Sequence, residues 1–402
     1  MLYLTFFLFI ISILIYIVSF VHYKSFLNPM GVFSIIWGSI PFMYTLRLSS
    51  ILMPLSTGTY LALFTSFFAF IFGCVLLTKK EYKSMYCILH QSNFNATKRT
   101  MFFYWLFFII SIAEMFIKTP PLFSANPYGT YLAGVGVRFL HFANILIAIP
   151  YYIIFLDKNK SGLLKSLLFF PPVLFPLIHM QRGLALNFLV GLLFLYLSRK
   201  KIKKQFLYIG ISMFLLLQLL TIVGEFRQSF NTENSSISDF SGMNSELPKS
   251  FVWFYTYTVP SVQNLDQTIN NPEVIHTYGA GIIEPIVSIL QLKFLIPEPK
   301  LYFSVINGFN VPTYLYWCYI NFGFLGFFIV PFILGVLSQK FYNESNSNNK
   351  VKIFIYALWL PNIFFSFHDF LFWNTGILLI FIISYLTVFR IKISLNKKFI
   401  KI

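Results

Sequence analysis

Residues 163–200 read LLKSLLFFPPVLFPLIHMQRGLALNFLVGLLFLYLSRK. Two apolar runs, at 163–178 and 184–197, flank the short polar stretch HMQRG at 179–183. A helix that crosses the hydrocarbon core of a bilayer has about 17 to 25 mainly apolar residues, and basic residues anchor its ends at the membrane surface. Lys165 and Arg199 lie near the two outer ends of this stretch. The stretch therefore predicts a short pair of membrane helices joined by the HMQRG turn.

The same composition extends along the whole chain. Of its 402 residues, 57% are apolar, 20% are aromatic and only 11% are charged, whereas soluble domains are about 25% charged. Fifty-two Phe residues are too many to bury in the cores of water-soluble domains. The net charge of +17 does not indicate a nucleic acid partner, because the Lys residues lie in short runs between apolar stretches. The composition excludes a soluble globular enzyme and predicts a protein embedded in a bilayer.

Eleven apolar segments recur along the chain, which predicts an all-α polytopic integral membrane protein with about 11 transmembrane helices. Their approximate bounds are 2–21, 31–46, 59–77, 101–117, 139–155, 163–178, 184–197, 206–223, 313–337, 353–367 and 371–389. The first segment lacks a basic leader and a small-residue cleavage site, so we expect it to be retained as an anchor.

The distribution of Lys and Arg predicts the orientation, because short cytoplasmic loops carry the positive excess. The densest basic runs are TKKEYK at 78–83, RKKIKK at 199–204 and the tail from Arg390. These runs share the cytoplasmic side if the N-terminus is outside and the C-terminus inside, and 22 of the 30 basic residues then lie inside. The chain is thereby divided into membrane helices 1–8 at 1–223, one large outer loop at 224–312, and helices 9–11 with a basic tail at 313–402.

The large outer loop has a polar part and an apolar part. Residues 231–250 are polar and rich in Ser and Asn, which is typical of a mobile segment. Two later stretches, FVWFYTYTVPSV at 251–262 and GIIEPIVSILQLKFLIP at 281–297, are apolar. We expect both to form interfacial or re-entrant helices, because aromatic side chains suit the headgroup level of a membrane.

Arginine is concentrated on the predicted outer side. The chain has 23 Lys and 7 Arg, yet the eight outer basic residues comprise four of each. The four outer arginines are Arg47, Arg138, Arg182 and Arg227. A planar guanidinium holds a phosphate through two hydrogen bonds, so this excess predicts a polyanionic group at the outer leaflet. The alternative is that these are ordinary loop residues that pair with outer acidic side chains.

Arg182 stands out because its depth in the membrane follows from the sequence. It lies 17 residues after Lys165 and 17 before Arg199, so each helical arm rises only about 25 Å of a hydrocarbon core of about 30 Å. A charged residue at that depth must line a cavity, which predicts a functional role. The alternative is an arginine that extends to the membrane surface from a short hairpin. Gly183 is expected to let the backbone turn tightly or approach a ligand.

Four other side chains are weaker candidates. His179 lies on the same turn, although it would equally serve to satisfy the open carbonyls of the hairpin. His368 and Asp369 lie in a second short outer turn, FSFHDFLFWN at 365–374, and would act as a base and its partner unless they diverge as helix neighbours do. Glu284 is a candidate buried carboxylate in an apolar part of the large loop.

Signatures of soluble enzymes are missing, since the chain has no P-loop, GxGxxG, GxSxG or HExxH motif. Nucleotide hydrolysis is therefore not predicted, and an activated substrate at the outer leaflet is expected to be linked to a lipid. The three cysteines, Cys74, Cys87 and Cys318, have no metal-ligand spacing. We predict no disulfide, no metal and no cofactor.

Three stretches resemble the oligosaccharide repeat unit polymerases, the Wzy-type O-antigen or capsule polymerases of bacteria. SFLNPMGVFSIIWGSIPFMYTLRL at 25–48 is similar to their second span, and HMQRGLALNFLVGLLFLY at 179–196 to their Arg-Gly turn that enters a span. PTYLYWCYINFGFLGFFIVPFILGVLSQKFY at 312–342 is similar to the aromatic, Gly-rich span that follows their large outer loop.

The resemblance implies a GT-C-like glycosyltransferase of the bacterial inner membrane, with its N-terminus and large loop in the periplasm. It implies transfer of a growing glycan from undecaprenyl pyrophosphate to the non-reducing end of a new lipid-linked repeat unit, beside a flippase and a chain-length regulator of the same pathway. Arg182 would be the main pyrophosphate contact, and Arg47, Arg138 and Arg227 would assist it. The base would be one of His179, His368, Asp369 and Glu284.

Two other functions remain open at this point. An O-antigen ligase shares the general plan and chemistry but uses lipid A-core as its acceptor. A flippase for lipid-linked oligosaccharides is a transport protein, and is expected to carry charges at many depths of a central cavity.

Overall fold

The computed structural model describes residues 2–78, 96–124, 138–198, 202–228, 237–292, 294, 311–346, 350–368 and 371–388. These residues form α-helices and short 3₁₀-helices without a β-strand, which confirms the all-α prediction. The helices are α1 (Leu2–Tyr23), α2 (Pro29–Thr45), α3 (Thr57–Leu76), α4 (Lys98–Ile117), α5 (Arg138–Leu146), α6 (Ala148–Leu156), α7 (Gly162–Ile178), α8 (Arg182–Leu197), α9 (Ile202–Gln228), α10 (Ile237–Ser241), α11 (Lys249–Thr258), α12 (Pro260–Asn270), α13 (Ala280–Ile289), α14 (Tyr314–Phe322), α15 (Gly326–Ser345), α16 (Lys350–Phe364) and α17 (Thr375–Val388).

Five helical stretches in these ranges are long and apolar enough to cross a membrane. They are Leu2–Tyr23, Thr57–Leu76, Lys98–Ile117, Lys204–Phe226 and Tyr314–Ser345. Several shorter apolar helices of 10–17 residues accompany them. By the length and composition of its helices, the chain is a membrane protein.

Each of the eleven apolar segments coincides with a helix or a pair of helices. The fifth segment is divided into α5 and α6 at Ile147, and the ninth into α14 and α15 at Gly323. Gly323 has a φ of +58°, a left-handed conformation that glycine adopts without steric cost. At the start of α2, Asn28 Oδ1 accepts a hydrogen bond from the Gly31 N–H at 2.7 Å, directly before Pro29. This is the usual arrangement of a capping side chain followed by proline in the first turn.

Helices α3 and α15 pack with their backbones in close contact. A Cβ atom added at Gly73 would collide with the Phe332 carbonyl oxygen, and one added at Gly335 would collide with the Phe70 carbonyl oxygen. The Cys74 thiol donates a hydrogen bond to the Gly335 carbonyl at 3.4 Å. Small residues at a helix interface permit this approach, which is the usual way that membrane helices associate.

Loops that the charge pattern assigns to one side of the membrane lie together. At the end of α1, Tyr23 Oη lies 3.1 Å from Thr78 Oγ1 at the end of α3. At the opposite end of α2, Ser49 Oγ donates a hydrogen bond to the Ser241 carbonyl. The described part of the polar stretch, 237–250, therefore packs against the loop after α2.

The helices of the large loop differ in their surroundings. Val252, Tyr255 and Val262 of α11 and α12 are at most 1% exposed, whereas an interfacial helix buries only its apolar face. Helices α11 and α12 therefore pack inside the protein, and the interfacial or re-entrant position of 251–262 stays a prediction. On α13, Ile283 and Ile286 are exposed.

Candidate functional site

The HMQRG turn joins α7 to α8 through a Schellman motif. The Met180 N–H donates to the Leu177 carbonyl at 2.8 Å and the Gln181 N–H donates to the Pro176 carbonyl at 2.8 Å. Met180 has a φ of +57°, as the motif requires of the residue after the helix cap. The prediction that Gly183 makes the tight turn is wrong, because Met180 does so and Gly183 already belongs to α8. A Cβ atom at Gly183 would meet nothing within 4 Å, so open space adjoins the start of α8.

His179 is not needed to satisfy the end of α7, because backbone N–H groups already bond its last carbonyls. The His179 ring is 1% exposed, and in the described part of the chain neither of its nitrogens has a hydrogen-bond partner. Its Nε2 lies 3.8 Å from Oε2 of Glu114. Burial lowers the pKa of His179, and the charge of Glu114 opposes this only in part. The ring is therefore a neutral imidazole directed at a carboxylate.

Arg182 is the first residue of α8 and is 8% exposed. Its guanidinium carbon lies 4.0 Å from the centre of the Tyr257 ring and 5.5 Å from that of Trp253. These two aromatic residues are four positions apart in α11 and share one face, so both stabilise the cation. The Trp253 Nε1–H donates to Oε1 of Glu225 at 2.7 Å, which fixes α11 against the end of α9. The side chain of Arg182 therefore extends from the start of α8 and is held against α11.

His368 lies in the turn after α16, and its ring packs near the Tyr257 ring that also contacts Arg182. Its ring is nearly parallel to the Tyr257 ring, with centroids 6.3 Å apart and an interplanar angle of 18°. Burial lowers the pKa of His368 to about 4, and the positive charge of Arg182 adds to this effect. His368 is therefore neutral at pH 7 and offers an unprotonated nitrogen near a guanidinium.

Two other predicted residues lie elsewhere. Arg47 is exposed in the loop after α2, and this region contacts α11 through Tyr255, whose Oη donates to the Met43 carbonyl at 3.4 Å. Tyr255 is two positions from Tyr257, so it lies on the face of α11 that points away from Arg182. Glu284 is half-buried and lines a different cavity of about 300 Å³.

The side chains of the remaining three predicted residues are not described. Arg138 is the first residue of α5 and Arg227 lies near the end of α9, and their side chains lie outside the described part of the structure. Asp369 lies outside the described residues altogether.

A polar cluster that the sequence analysis missed adjoins the HMQRG turn. The Glu114 carboxylate of α4 is buried, and its Oε1 lies 3.2 Å from Nδ1 of His141 in α5. Nδ2 of Asn144 donates to the other carboxylate oxygen, Oε2, at 2.8 Å. Nε2 of His141 lies 2.8 Å from Oε1 of Gln181. With His179, the cluster joins α4, α5 and the turn that positions Arg182.

The sequence did contain a signal for this cluster. Glu114 is the only acidic residue, and His141 the only histidine, within the eleven predicted apolar segments. An ionisable side chain inside a membrane segment marks a functional site and pairs with another polar group. The contact itself could not be predicted, because the two residues are 27 positions apart and the sequence does not indicate which faces of α4 and α5 pack together.

A cavity of about 210 Å³ lies next to the cluster, between α5, α6, α7, α8, α16 and α17. Its wall is mainly apolar but contains four carboxamide side chains, those of Asn144, Asn187, Asn362 and Asn374. Among the described atoms, Oδ1 of Asn144, Oδ1 of Asn187 and Nδ2 of Asn362 are buried without a hydrogen-bond partner. Such atoms are normally satisfied by water or by a ligand. Asn144 therefore connects the cluster to a cavity with hydrogen-bonding capacity.

No protein-family model, curated protein or solved structure matches this chain. A functional assignment therefore depends on the geometry of the site and on the sequence patterns described above.

Proposed function

We propose that the protein is a glycosyltransferase of the bacterial inner membrane that polymerises undecaprenyl-pyrophosphate-linked oligosaccharide repeat units at the periplasmic face. In this proposal the chain crosses the membrane eleven times, with its N-terminus and large loop in the periplasm and its C-terminus in the cytoplasm. The flippase that delivers the repeat units and a chain-length regulator are its partners, and O-antigen or capsular polysaccharide is the product.

The observation that carries the proposal is the position of Arg182. Its guanidinium is buried against Tyr257 at the start of α8, where no side chain caps the helix. Free N–H groups and the helix dipole make such a helix start attractive to phosphate oxygens, and a guanidinium adds bidentate hydrogen bonds. The open space beside Gly183 gives a pyrophosphate access to both.

The transfer of the glycan requires few groups in addition to the pyrophosphate contacts. The acceptor hydroxyl attacks the anomeric carbon of the donor glycan, a new glycosidic bond forms, and the bond to undecaprenyl pyrophosphate breaks with the electron pair leaving on phosphate. Arg182 stabilises the negative charge that develops on this leaving group. Neutral His368 accepts a hydrogen bond from the acceptor hydroxyl and takes its proton. Because pyrophosphate is a good leaving group, charge stabilisation contributes more than a strong acid or base.

The orientation is supported by the grouping of loops. The turn with Arg182, the helix with Tyr257 and the turn with His368 are all assigned to the outer side by the positions of Lys and Arg, and they lie together in the fold. An enzyme that uses a periplasmic, lipid-linked donor needs its leaving-group contact and its base on this side.

A reconstituted assay tests the proposal. The protein, purified in detergent and placed in liposomes, receives lipid-linked repeat units extracted from a host cell that lacks this chain, with no nucleotide sugar. We expect a ladder of extended lipid-linked glycans. Arg182→Ala is expected to reduce their formation by at least about 100-fold, the effect typical of removing one oxyanion-stabilising group.

Gly162→Ala is the control, since an added Cβ atom there meets nothing within 4 Å and Gly162 lies at the far end of α7 from the Arg182 turn, so we expect it to retain the ladder. Full-length products from Arg182→Ala would contradict the proposal. Transfer of single repeat units to added lipid A-core, without a ladder, would indicate a ligase, and movement of repeat units across the bilayer without extension would indicate a flippase.

A further inference from the structure

Glu114, His141 and His179 direct their polar atoms at one another from three different helix ends. One ligand atom from each residue lies within 4.8 Å of the other two. Nδ1 of His141 is 3.2 Å from Oε1 of Glu114, and Nε2 of His179 is 3.8 Å from Oε2. A tetrahedral Zn²⁺ ion about 2.1 Å from each ligand separates the ligand atoms by about 3.4 Å. The two separations to Glu114, each to a different carboxylate oxygen, lie on either side of this value.

The partner of His141 determines which of its nitrogens carries the proton. With Oε1 of Gln181 2.8 Å from Nε2, Nε2 is the donor and Nδ1 carries the lone pair. That lone pair lies 3.2 Å from Oε1 of Glu114 and 3.3 Å from Nδ2 of Asn144, and a cation between the nitrogen and the carboxylate oxygen would remove the repulsion between these two acceptors. A second ring nitrogen bonded to a carbonyl or carboxylate oxygen is also the usual arrangement around histidine ligands of metals.

His179 supplies an independent observation. It is 1% exposed, and within the described part of the chain neither ring nitrogen has a hydrogen-bond partner. A buried polar group without a partner destabilises the folded protein, because it has given up its hydrogen bonds to water. Nε2 points to the carboxylate at a distance too long for a hydrogen bond, 3.8 Å, but suited to an ion placed between the two groups.

We propose that Glu114, His141 and His179 bind a divalent transition-metal ion of the Zn²⁺ class. Two imidazoles and one carboxylate form a ligand set that zinc prefers, with a fourth position open to water or to an anion. Asn144 and Gln181 orient the carboxylate and the His141 ring through their hydrogen bonds. The ion connects α4, α5 and the end of α7 directly beside the turn that positions Arg182. The proposal concerns metal binding and does not depend on polymerase activity.

The metal content of the whole protein tests this proposal. The chain is purified in detergent through an affinity tag without histidine, dialysed, and measured by inductively coupled plasma mass spectrometry. We expect about one zinc ion per chain, the stoichiometry of a single mononuclear site. Glu114→Gln and His179→Asn are expected to lose the ion. Gln181→Ala is expected to raise the dissociation constant by about 10 to 100-fold, the usual effect of removing a residue that orients a ligand.

His22→Asn is the matched control, because His22 is exposed at the end of α1, and it should keep the ion. Because buried variants sometimes fail to fold, the wild-type chain is also stripped with a chelator and titrated with Co²⁺. Saturable visible bands of a four-coordinate cobalt site would support the proposal. Their absence, or equal zinc content in wild type and His179→Asn, would overturn it and leave a shared proton between His141 and Glu114 as the explanation.

Discussion

Arg182 takes its position from the conformation of a neighbour, Met180. The left-handed backbone of Met180 reverses the chain after α7, so that Arg182 begins the next helix and its side chain reaches the aromatic face of α11. A cation in the first turn lies at the positive end of the helix dipole, which is unfavourable by itself. The arrangement becomes favourable when an anion binds there, and this is the property that a pyrophosphate site requires.

His368 predicts an acid-sensitive stability. The pKa of His368 is lowered to about 4 in the folded protein, whereas an unfolded histidine titrates near about 6.5. Between these values the unfolded chain binds a proton that the folded chain does not, so acidification from pH 7 to pH 5 favours unfolding. We expect the melting temperature in detergent to fall over this range, and to fall less in His368→Gln.

His22→Gln serves as the control for this measurement because the ring is exposed, and its melting temperature should follow that of the wild type. An equally steep acid dependence in His368→Gln would show that the histidine is not responsible.

At the scale of elements, α11 lies between Arg182 on one face and the end of α2 on the other. Trp253 and Tyr257 contact Arg182 from one face, while Tyr255 on the other face donates a hydrogen bond to the Met43 carbonyl in the last turn of α2. The helix is thus fixed on both sides by polar contacts that require its aromatic residues at alternating positions. These contacts account for the burial of this aromatic-rich helix inside the protein.

The contact of α3 with α15 predicts the effect of a single methyl group. In Gly73→Ala, the new Cβ atom would collide with the Phe332 carbonyl oxygen, which is backbone and cannot rotate away. We expect the free energy of unfolding to fall by about 1 to 3 kcal/mol, the usual effect of overpacking. Chemical denaturation in detergent measures this change.

Gly210→Ala in α9 is the control, since a Cβ atom there meets nothing within 4 Å. That variant should be neutral, or more stable by up to about 1 kcal/mol because alanine favours a helix. Equal effects of the two substitutions would show that α3 and α15 do not pack this closely.

At the scale of the whole molecule, the distribution of basic residues predicts which ends face the cytoplasm. Glu246 is exposed in the large loop and Asn159 is exposed in the turn after α6, and the two are assigned to opposite sides. We expect Glu246→Cys to react with a membrane-impermeant thiol reagent in intact spheroplasts, and Asn159→Cys to react only after permeabilisation.

A Cys87→Ser chain without either new cysteine gives the background for this labelling, since Cys74 and Cys318 are buried and Cys87 lies outside the described residues. Labelling of Asn159→Cys in sealed spheroplasts, with Glu246→Cys protected, would reverse the orientation and place the Arg182 site on the cytoplasmic side.

The sequence by itself determined the helical segments, the predicted sides of the membrane and the prominence of Arg182. These depend on local properties: the length of an apolar run, the position of basic residues, and the rarity of charge in such a chain. Two of the candidate residues, Arg182 and His368, do meet around Tyr257.

Only the tertiary structure decided which side chains complete the site. Glu114 and His141 are the sole acid and histidine of the predicted membrane segments, yet their contact depends on which faces of α4 and α5 meet. The aromatic support of Arg182 comes from a loop helix more than 70 positions away, and the turn depends on Met180, not Gly183. Helix periodicity determines which residues share a face, but the neighbour of that face is chosen by packing among all the helices.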